Sequence, residues 1–326
     1  MKKMIILFIL AIILLIILVI PYTLWDNKRV KVVKEAVVVE GLPDALHNFK
    51  ILQVSDLHEK SFGKSQEKLI DTINSLDYDL ILFTGDMMDG ENSEHTAPYF
   101  TLLEGVKNKE YAYYVAGNTD PSNYEIVQDQ LVKSKFIREM EKRGVQLLES
   151  MEMIEYQGER LNLLDFELSV LKPENGFFVA NGRVKPEHSR TEAYIQYHNG
   201  LLQEFSRLNG EGTTIAVNHY PVSDPRIDQL KKTTYYNFRD YDLIIAGHYH
   251  GGQIRLPFIG ALFVPEPWYE NGGFMPPRDR VKGLWEYRGT KQYVSAGLGS
   301  SNAIGFLNFR LFNTPEVNMI TLKKES

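Results

Sequence analysis

The longest apolar run of the chain lies at its N-terminus. Residues 4–20 contain no polar side chain, and the run reaches Trp25 with only Tyr22 and Thr23 as polar groups. A helix of this length, rising about 1.5 Å per residue, roughly spans a hydrocarbon core of ~30 Å. A cleavable signal peptide has a shorter apolar region that ends in small residues, and no such site is visible here. The pattern therefore predicts an uncleaved membrane anchor over residues 1–25.

Basic residues on both sides of this run give conflicting signals about its orientation. Lys2 and Lys3 favour an N-terminus inside the cell, whereas four basic residues follow the run, namely Lys28, Arg29, Lys31 and Lys34. Cytoplasmic ends of membrane helices carry the excess of Lys and Arg. We expect the short basic tail to lie inside, which makes the chain a single-pass cell-membrane protein with an extracytoplasmic domain.

Strand and helix patterns alternate after a basic juxtamembrane segment and edge strand over residues 26–48. Helical spacing of apolar residues predicts helices at 65–76 and 123–143, and apolar runs predict strands at 50–54, 79–85, 111–117, 161–167, 213–219, 242–248 and 292–299. The alternation predicts an α/β domain over residues 49–326. The hairpin-like segment 151–167 predicts some antiparallel pairing. A fragment beginning near Glu35 is expected to be soluble without detergent.

Five of the predicted strands end in side chains that can bind a metal ion. In chain order these side chains are Asp56, His58, Asp86, Asn118, His219, His248 and His250. The carboxyl ends of strands in an open α/β sheet form its ligand-binding edge. The spacing Asp-x-His and His-x-His lets both members of a pair point the same way. One such residue alone is common in turns, but the ordered set predicts a shared site.

Composition narrows the chemistry of this site. The chain has no cysteine and a net charge of −6, so thiolate ligands are excluded and a broad basic surface for nucleic acid is absent. Imidazole, carboxylate and amide ligands suit Mn, Fe, Zn, Ni, Co or Mg. Seven ligands are too many for one tetrahedral ion and fit two divalent ions that share a carboxylate. Such a pair attracts a hydroxide and an anionic substrate and promotes in-line displacement at phosphorus.

The ordered motifs resemble those of the calcineurin-like metallophosphoesterase family. They read SDLH (55–58), GD (85–86), GN (117–118), NH (218–219) and GHYHGGQ (247–253), and the last is similar to the GHxHGGQ of the membrane-anchored bacterial phosphodiesterase branch. The resemblance implies a two-sheet αββα sandwich and a metallophosphoesterase whose bridging hydroxide attacks a phosphoester. It also implies one ion on Asp56, His58, Asp86 and His250, and a second on Asp86, Asn118, His219 and His248, with Asp86 bridging.

The sequence departs from the family pattern at Thr119. In the family a histidine follows the GN motif, contacts the phosphate and protonates the leaving group, and a following Asp or Glu orients it. Here Thr119 occupies the general-acid position, and Asp120 has no imidazole to orient. Three interpretations stay open. The enzyme acts on esters with good leaving groups, another group such as Tyr249, His95 or a residue of 255–289 supplies the proton, or the chain binds metal and a phosphorylated ligand with little turnover. Asn118 is expected to bind both the metal and the substrate.

The remaining histidines and the segment 255–289 have less specific interpretations. His198 lies on the apolar stripe of a predicted helix and is expected in the core, while His47, His95 and His188 fall in polar loops. The segment 255–289 is rich in Pro, Gly and aromatic residues. It forms either a surface loop or a substrate lip in which aromatic side chains face lipid, namely Phe258, Phe263, Trp268, Tyr269 and Trp285. Because an anchor holds the site near a bilayer, we expect a phosphorylated substrate, either a phosphodiester or a lipid-linked phosphoester.

Overall fold

The computed structural model describes residues 1–176, 179, 182–301, 305 and 308–325. Its α-helices are α1 Lys2–Asp26, α2 Glu67–Asn74, α3 Ala97–Gly105, α4 Lys135–Glu141, α5 Phe166–Ser169, α6 Glu192–Glu204 and α7 Asp224–Lys232. Its strands are β1 Lys31–Val39, β2 Lys50–Val54, β3 Leu80–Phe83, β4 Ala112–Tyr114, β5 Tyr124–Val127, β6 Gln130–Lys133, β7 Gln146–Leu147, β8 Met151–Tyr156, β9 Glu159–Asp165, β10 Thr213–Val217, β11 Leu243–Ala246, β12 Arg255–Leu256, β13 Gly260–Ala261, β14 Gly283–Tyr287, β15 Thr290–Val294 and β16 Glu316–Lys324.

Two six-stranded sheets form the centre of the domain. The first has the order β1-β16-β2-β3-β4-β7 and the second the order β14-β15-β11-β10-β9-β8. Strands β2, β3, β4 and β7 run parallel, as do β9, β10, β11 and β15. The predicted hairpin at 151–167 is confirmed, because β8 pairs with β9 in antiparallel register.

Side-chain alternation along the strands divides the core into layers. In β3, Leu80 and Leu82 belong to the cluster between the sheets, whereas Ile81 and Phe83 pack on the helical side of the first sheet. Period-2 alternation places successive side chains on opposite faces of a strand. A third cluster fills the space between the second sheet and α5–α7. The result is the predicted αββα sandwich.

The predicted helix over 123–143 is wrong in its first half. Residues 124–133 form the hairpin β5–β6, and only α4 follows it. Gln128 and Asp129 have φ of 51° and 62°, which closes a two-residue hairpin turn. Val127 is exposed rather than inward. The four-residue spacing of Val127 and Leu131 is typical of a helix, but the two residues lie on opposite strands of the hairpin.

Helix α1 is long and apolar enough to cross a membrane. It carries Pro21 in its last turns and ends at Asp26, and Tyr22 and Trp25 are exposed near its C-terminal end. The next strand, β1, pairs with β16 along its whole length. His198 is fully buried on α6, as expected from its apolar stripe.

Candidate metal centre

The structure brings all seven predicted ligand residues to one edge of the sandwich. Asp56 and His58 follow β2, Asp86 follows β3, Asn118 follows β4, His219 follows β10, and His248 and His250 follow β11. The first three strands belong to one sheet and the last two to the other. Parallel strands of both sheets end at this edge, and each sheet contributes part of the set.

One group of donor atoms consists of Asp56, His58, Asp86 and His250. One ligand atom from each lies within 4.8 Å of all the others. The Nε2 atoms of His58 and His250 are 3.2 Å apart, and His58 Nε2 lies 3.5 Å from Asp86 Oδ2. All four residues are buried.

A second group shares Asp86 with the first. Ligand atoms of Asp86, His219 and His248 also lie within 4.8 Å of one another. His219 Nε2 is 3.2 Å from Asp86 Oδ2 and 3.0 Å from His248 Nδ1. Asn118 Oδ1 adds a fourth possible ligand atom to this group and lies 3.2 Å from His219 Nε2. Asp86 Oδ2 therefore lies between the two groups.

Hydrogen bonds behind two of the imidazoles direct their Nε2 atoms into the site. His58 Nδ1 lies 2.9 Å from Asp89 Oδ1, and His219 Nδ1 lies 2.9 Å from the carbonyl of Thr84. Both partners are acceptors, so each Nδ1 carries a proton and each Nε2 is directed into the site. This arrangement is typical of metal-binding histidines. Imidazole nitrogens and carboxylate oxygens that converge at 3.2 and 3.5 Å need a proton or a cation between them, so the residues present fit divalent ions.

Five of the seven residues have an unusual backbone conformation. Asp56, His58, Asp86, His248 and His250 all have φ between 47° and 66°. Non-glycine residues seldom adopt this left-handed region, at a cost of about 1 kcal/mol or more each. Such strain persists only where the surrounding fold enforces it, and it concentrates at functional sites. The sharp turns at the strand ends aim these side chains into the site.

Two glycines are required by the close approach of neighbouring backbone and side chains. Gly85 has φ of +83°, and a Cβ there would meet the nitrogen of Gly117 at 2.5 Å. A Cβ on Gly117 would lie 2.1 Å from Asp86 Oδ1. Any side chain at position 117 would displace the shared carboxylate. The glycines before Asp86 and Asn118 thus have a steric role at the site.

Burial and mutual charge shift the pKa values of the site strongly. Burial raises the pKa of Asp56 to about 6 and lowers that of His248 to about 3. Burial also disfavours the charge on His219, but the Asp86 carboxylate outweighs it and raises the pKa of His219 to about 9. For Asp86, the attraction of His219 and His58 overcomes burial and holds the pKa below its usual range. A cation entering the site must therefore displace a proton from His219.

Asp120 has a partner set that the sequence did not reveal. It is buried, and its Oδ2 accepts hydrogen bonds from the backbone nitrogens of Asp86 and Gly117, while its Oδ1 accepts one from that of Met88. The distances are 2.7, 2.9 and 2.9 Å. These backbone amides are its partners in place of the imidazole that it has no chance to orient. It ties the end of β3 to the end of β4 and so positions Asp86.

Thr119 is bound to the same loop. Its backbone nitrogen donates to Asp86 Oδ1 at 2.8 Å, and its hydroxyl donates to the carbonyl of Met88 at 2.6 Å. Its side chain therefore directs its proton into the protein rather than towards a ligand. Thr119 supports the shared carboxylate through its backbone.

The alternative proton donors differ in their burial and in their hydrogen-bond partners. The Tyr249 hydroxyl donates to Glu266 and is buried, and burial raises its pKa well above the usual value. His95 is exposed and lies 3.1 Å from Glu59 Oε2. Sequence reasoning missed Tyr220, whose ring lies 4.4 Å from that of His248 and 5.1 Å from that of His219. It is the aromatic hydroxyl residue that directly follows the NH motif.

The carbonyl of His250 is held by a buried cation that sequence reasoning also missed. Arg310 is fully buried, and its guanidinium donates to the carbonyls of His250, Gly299 and Asn313. The Asn313 amide adds a second donor to the His250 carbonyl at 2.6 Å. This support stabilises the left-handed backbone at His250.

An apolar pocket of about 510 Å³ opens beside the donor groups. Its polar end is lined by Asp86, Asn118, Thr119 and His248, and its apolar walls are Ile254, Leu262, Phe263, Pro265 and Phe274. The walls come from segment 255–289 and its flank, so part of this segment faces the site. Within the segment, Phe258, Phe263 and Trp268 are exposed, but Tyr269 and Trp285 are buried and do not form a lip.

A comparison with protein families decides the classification. The family model described as calcineurin-like phosphoesterase matches residues 49–252, which is well over half of the chain. The chain belongs to this family. It is therefore a metallophosphoesterase, an enzyme that hydrolyses phosphoric esters. Membership of the family implies that the chain binds divalent metal ions. The region matched contains all seven donor residues.

Relatives of this calcineurin-like phosphoesterase match along most of their length. Two are Bacillus subtilis metallophosphoesterases: YkuE is 26% identical over 86% of this chain and 82% of its own, and YkoQ is 26% identical over 93% and 96%. A third is the UDP-2,3-diacylglucosamine pyrophosphatase LpxG of Chlamydia muridarum, 24% identical over 83% of each chain.

Proposed function

We propose that this phosphoesterase hydrolyses a phosphodiester or a lipid-linked phosphoester while anchored to a membrane by α1. The observation that carries the proposal is the position of Asp86 Oδ2, 3.5 Å from His58 Nε2 and 3.2 Å from His219 Nε2. Asp56, His58, Asp86 and His250 would hold one divalent ion, and Asp86, Asn118, His219 and His248 a second. The ions would activate a water molecule and neutralise the phosphoryl oxygens.

The residues around these donors would orient the substrate. Asn118 is exposed at the pocket, and its Oδ1 points towards His219. Its NH₂ group would then donate a hydrogen bond to a phosphoryl oxygen of the substrate. Asp120 and Thr119 would hold the Asp86 carboxylate still. Because neither residue presents a proton to the pocket, the reaction favours esters whose leaving group departs without strong protonation.

The apolar pocket and α1 favour a substrate with a lipid part. Five apolar side chains wall the pocket next to the donor groups. The relative LpxG bears the name of an enzyme acting on a diacylated sugar nucleotide. A phosphoester at the donors with its acyl part in the pocket satisfies both features. The helix would keep such a substrate and the enzyme in one bilayer, with the domain on the extracytoplasmic side.

The decisive experiment replaces the shared carboxylate. We expect Asp86→Asn to lose bound metal and to lower hydrolysis of a nitrophenyl phosphodiester by at least roughly 10³-fold, since one residue serves both groups. Metal content is measured by elemental analysis of the purified full chain, and both mono- and diesters are assayed. Asp77→Asn is the matched control, because the Asp77 side chain is 93% exposed.

Two results would contradict the proposal in different ways. Normal metal content and turnover in Asp86→Asn would exclude the shared-carboxylate site. A parent protein that holds metal and phosphate but hydrolyses neither ester would show a membrane-tethered binding protein instead.

A further inference from the structure

The C-terminal end of α1 is joined to the domain by specific contacts. The Asn27 side chain donates to the carbonyl of Arg310 at 2.6 Å and accepts from the nitrogen of Arg310 at 2.8 Å. The buried Asp26 carboxylate accepts from the Thr314 hydroxyl at 2.8 Å. The rings of Tyr22 and Phe312 lie 5.5 Å apart. The helix therefore has a fixed relation to the segment 310–314.

The same segment supports the β12–β13 hairpin. Leu311 forms a parallel bridge with Ile254, and the nitrogen of Arg255 donates to the carbonyl of Leu311 at 3.0 Å. The hairpin then extends to Phe258 at its tip. Three residues span at most about 10 Å, so the tip lies within about that distance of Arg255, which is bonded to the segment that holds α1.

Five apolar side chains form an exposed surface on this hairpin and the loop next to it. Phe258 is 93% exposed, and the other four are between 44% and 58% exposed, namely Ile259, Phe263, Phe274 and Met275. Phe263 and Phe274 pair through a β-bridge, and the nitrogen of Met275 donates to the carbonyl of Leu262. We call these five residues the hairpin patch. Soluble surfaces rarely expose adjoining large apolar groups of this kind.

We propose that the hairpin patch inserts into the bilayer interface from which α1 emerges and opens the apolar pocket directly to lipid. Phe263 and Phe274 belong to the patch and also wall the pocket. An acyl chain can therefore pass from the bilayer to the donor groups without crossing water. The inference rests on the proposed anchoring by α1 and deepens it by naming a second membrane contact and the route of the substrate.

Position and charge favour a bilayer over a second copy of the chain as the occupant. Segment 310–314 connects the base of the hairpin, through the Leu311–Ile254 bridge, with the end of α1, through the contact between the rings of Tyr22 and Phe312. Arg278 lies beside the hairpin, because a Cβ on Gly260 would be 3.4 Å from its Nε. Aromatic side chains flanked by arginine match an interface in which acyl chains lie under anionic phosphates.

The absence of cysteine permits a direct test with single labels. The full chain, reconstituted in vesicles of phosphatidylcholine and phosphatidylglycerol, would carry a nitroxide at Phe258→Cys, at Ile13→Cys or at Tyr235→Cys. Ile13 lies in α1, and Tyr235 is 60% exposed in the loop after α7. We expect the label at 258 to be accessible to oxygen and protected from a water-soluble nickel complex, as at 13, and the label at 235 to show the reverse.

The three labels separate the possible failures. A label at 13 that is open to nickel would overturn the anchoring itself. A label at 13 in lipid with a label at 258 in water would overturn the inference and leave the anchoring intact. Protection at 258 that disappears when the protein is diluted to one copy per vesicle would show self-association and also overturn the bilayer contact.

A kinetic measurement tests the route independently. Hexadecyl and methyl nitrophenyl phosphate have the same leaving group and differ only in the tail. We expect Phe258→Ser/Ile259→Ser to lower hydrolysis of the hexadecyl ester in vesicles by about tenfold and to leave the soluble methyl ester unchanged. An equal effect on both esters would show a structural role for the tip, and no effect on either would exclude the route.

Discussion

At the residue scale, the least expected feature of the site is the role of Asp120. In the family pattern, an acidic residue at position 120 orients a histidine at position 119. In the structure, both carboxylate oxygens of Asp120 accept backbone hydrogen bonds instead. A buried carboxylate with three amide donors is well satisfied and fixes the loops it joins. Asp120 acts through Asp86, as a positioning residue, and the departure at Thr119 leaves this part of the site intact.

This arrangement gives a specific expectation for Thr119→His. A histidine there has no free carboxylate to orient it, and it loses the hydroxyl bond to the Met88 carbonyl. General acids contribute typically ~10²–10⁴-fold. We expect the variant to gain well under 10²-fold on methyl or other alkyl phosphodiesters, with no selective gain over nitrophenyl esters. The measurement is the ratio of kcat/KM for the two ester classes in parent and variant.

A conservative variant controls for changes in the loop. Thr119→Ser keeps the hydroxyl and should keep both the ratio and the overall rate. A gain of 10²-fold confined to alkyl esters in Thr119→His would show that Asp120 or another acceptor does orient the imidazole, and that threonine marks a missing acid.

At the element scale, β1 ties the segment after α1 to the last strand. Nine residues from Lys31 to Val39 pair in order with Glu316 to Lys324, and Val37 and Val39 are buried between the sheets. Asp26 and Asn27 add bonds just before the strand. A fragment beginning near Glu35 loses these bonds and the first four pairs of the strand.

We therefore expect fragment 35–326 to unfold at a lower temperature than fragment 26–326, by about 5 °C or more. Each lost hydrogen bond contributes roughly 1 kcal/mol and the unpaired part of β16 becomes an exposed edge. Thermal unfolding followed by circular dichroism compares the two fragments. Equal midpoints would mean that the segment 26–34 contributes nothing to the domain.

Some of these elements could be predicted from the sequence pattern, and others could not. Strands that end in a ligand residue were predictable, because a buried parallel strand is a continuous apolar run and its last residue is polar. The hairpin β5–β6 was not, since Gln128 and Asp129 carry no glycine signal for their left-handed turn. The residues that converge at the site could be named from the sequence as candidate ligands. The supports of the site, Asp89, Asp120 and Arg310, were not predictable, because their partners are backbone atoms and side chains distant in sequence.

At the scale of the whole molecule, the donor groups lie across the joint between the two sheets. In the first group Asp56, His58 and Asp86 come from one sheet, and His250 comes from the other. In the second group Asp86 and Asn118 come from the first sheet, and His219 and His248 come from the second. Each proposed ion would thus bind to both halves of the sandwich and would have no equivalent site in the unfolded chain.

Removal of metal should therefore weaken the sandwich as well as abolish activity. A ligand present at about 100 times its Kd stabilises a native protein by ~2.7 kcal/mol, so we expect removal of two ions by a chelator to lower the unfolding temperature by roughly 5–10 °C. Calorimetry of the full chain in detergent, with and without chelator, measures the shift. Asp77→Asn should respond like the parent, whereas Asp86→Asn should unfold at the same lower temperature in both conditions. A parent whose midpoint does not move, although its metal has been removed, would show that the two sheets hold together without the ions and that the left-handed turns at Asp56, His58 and His250 are enforced by the protein scaffold alone.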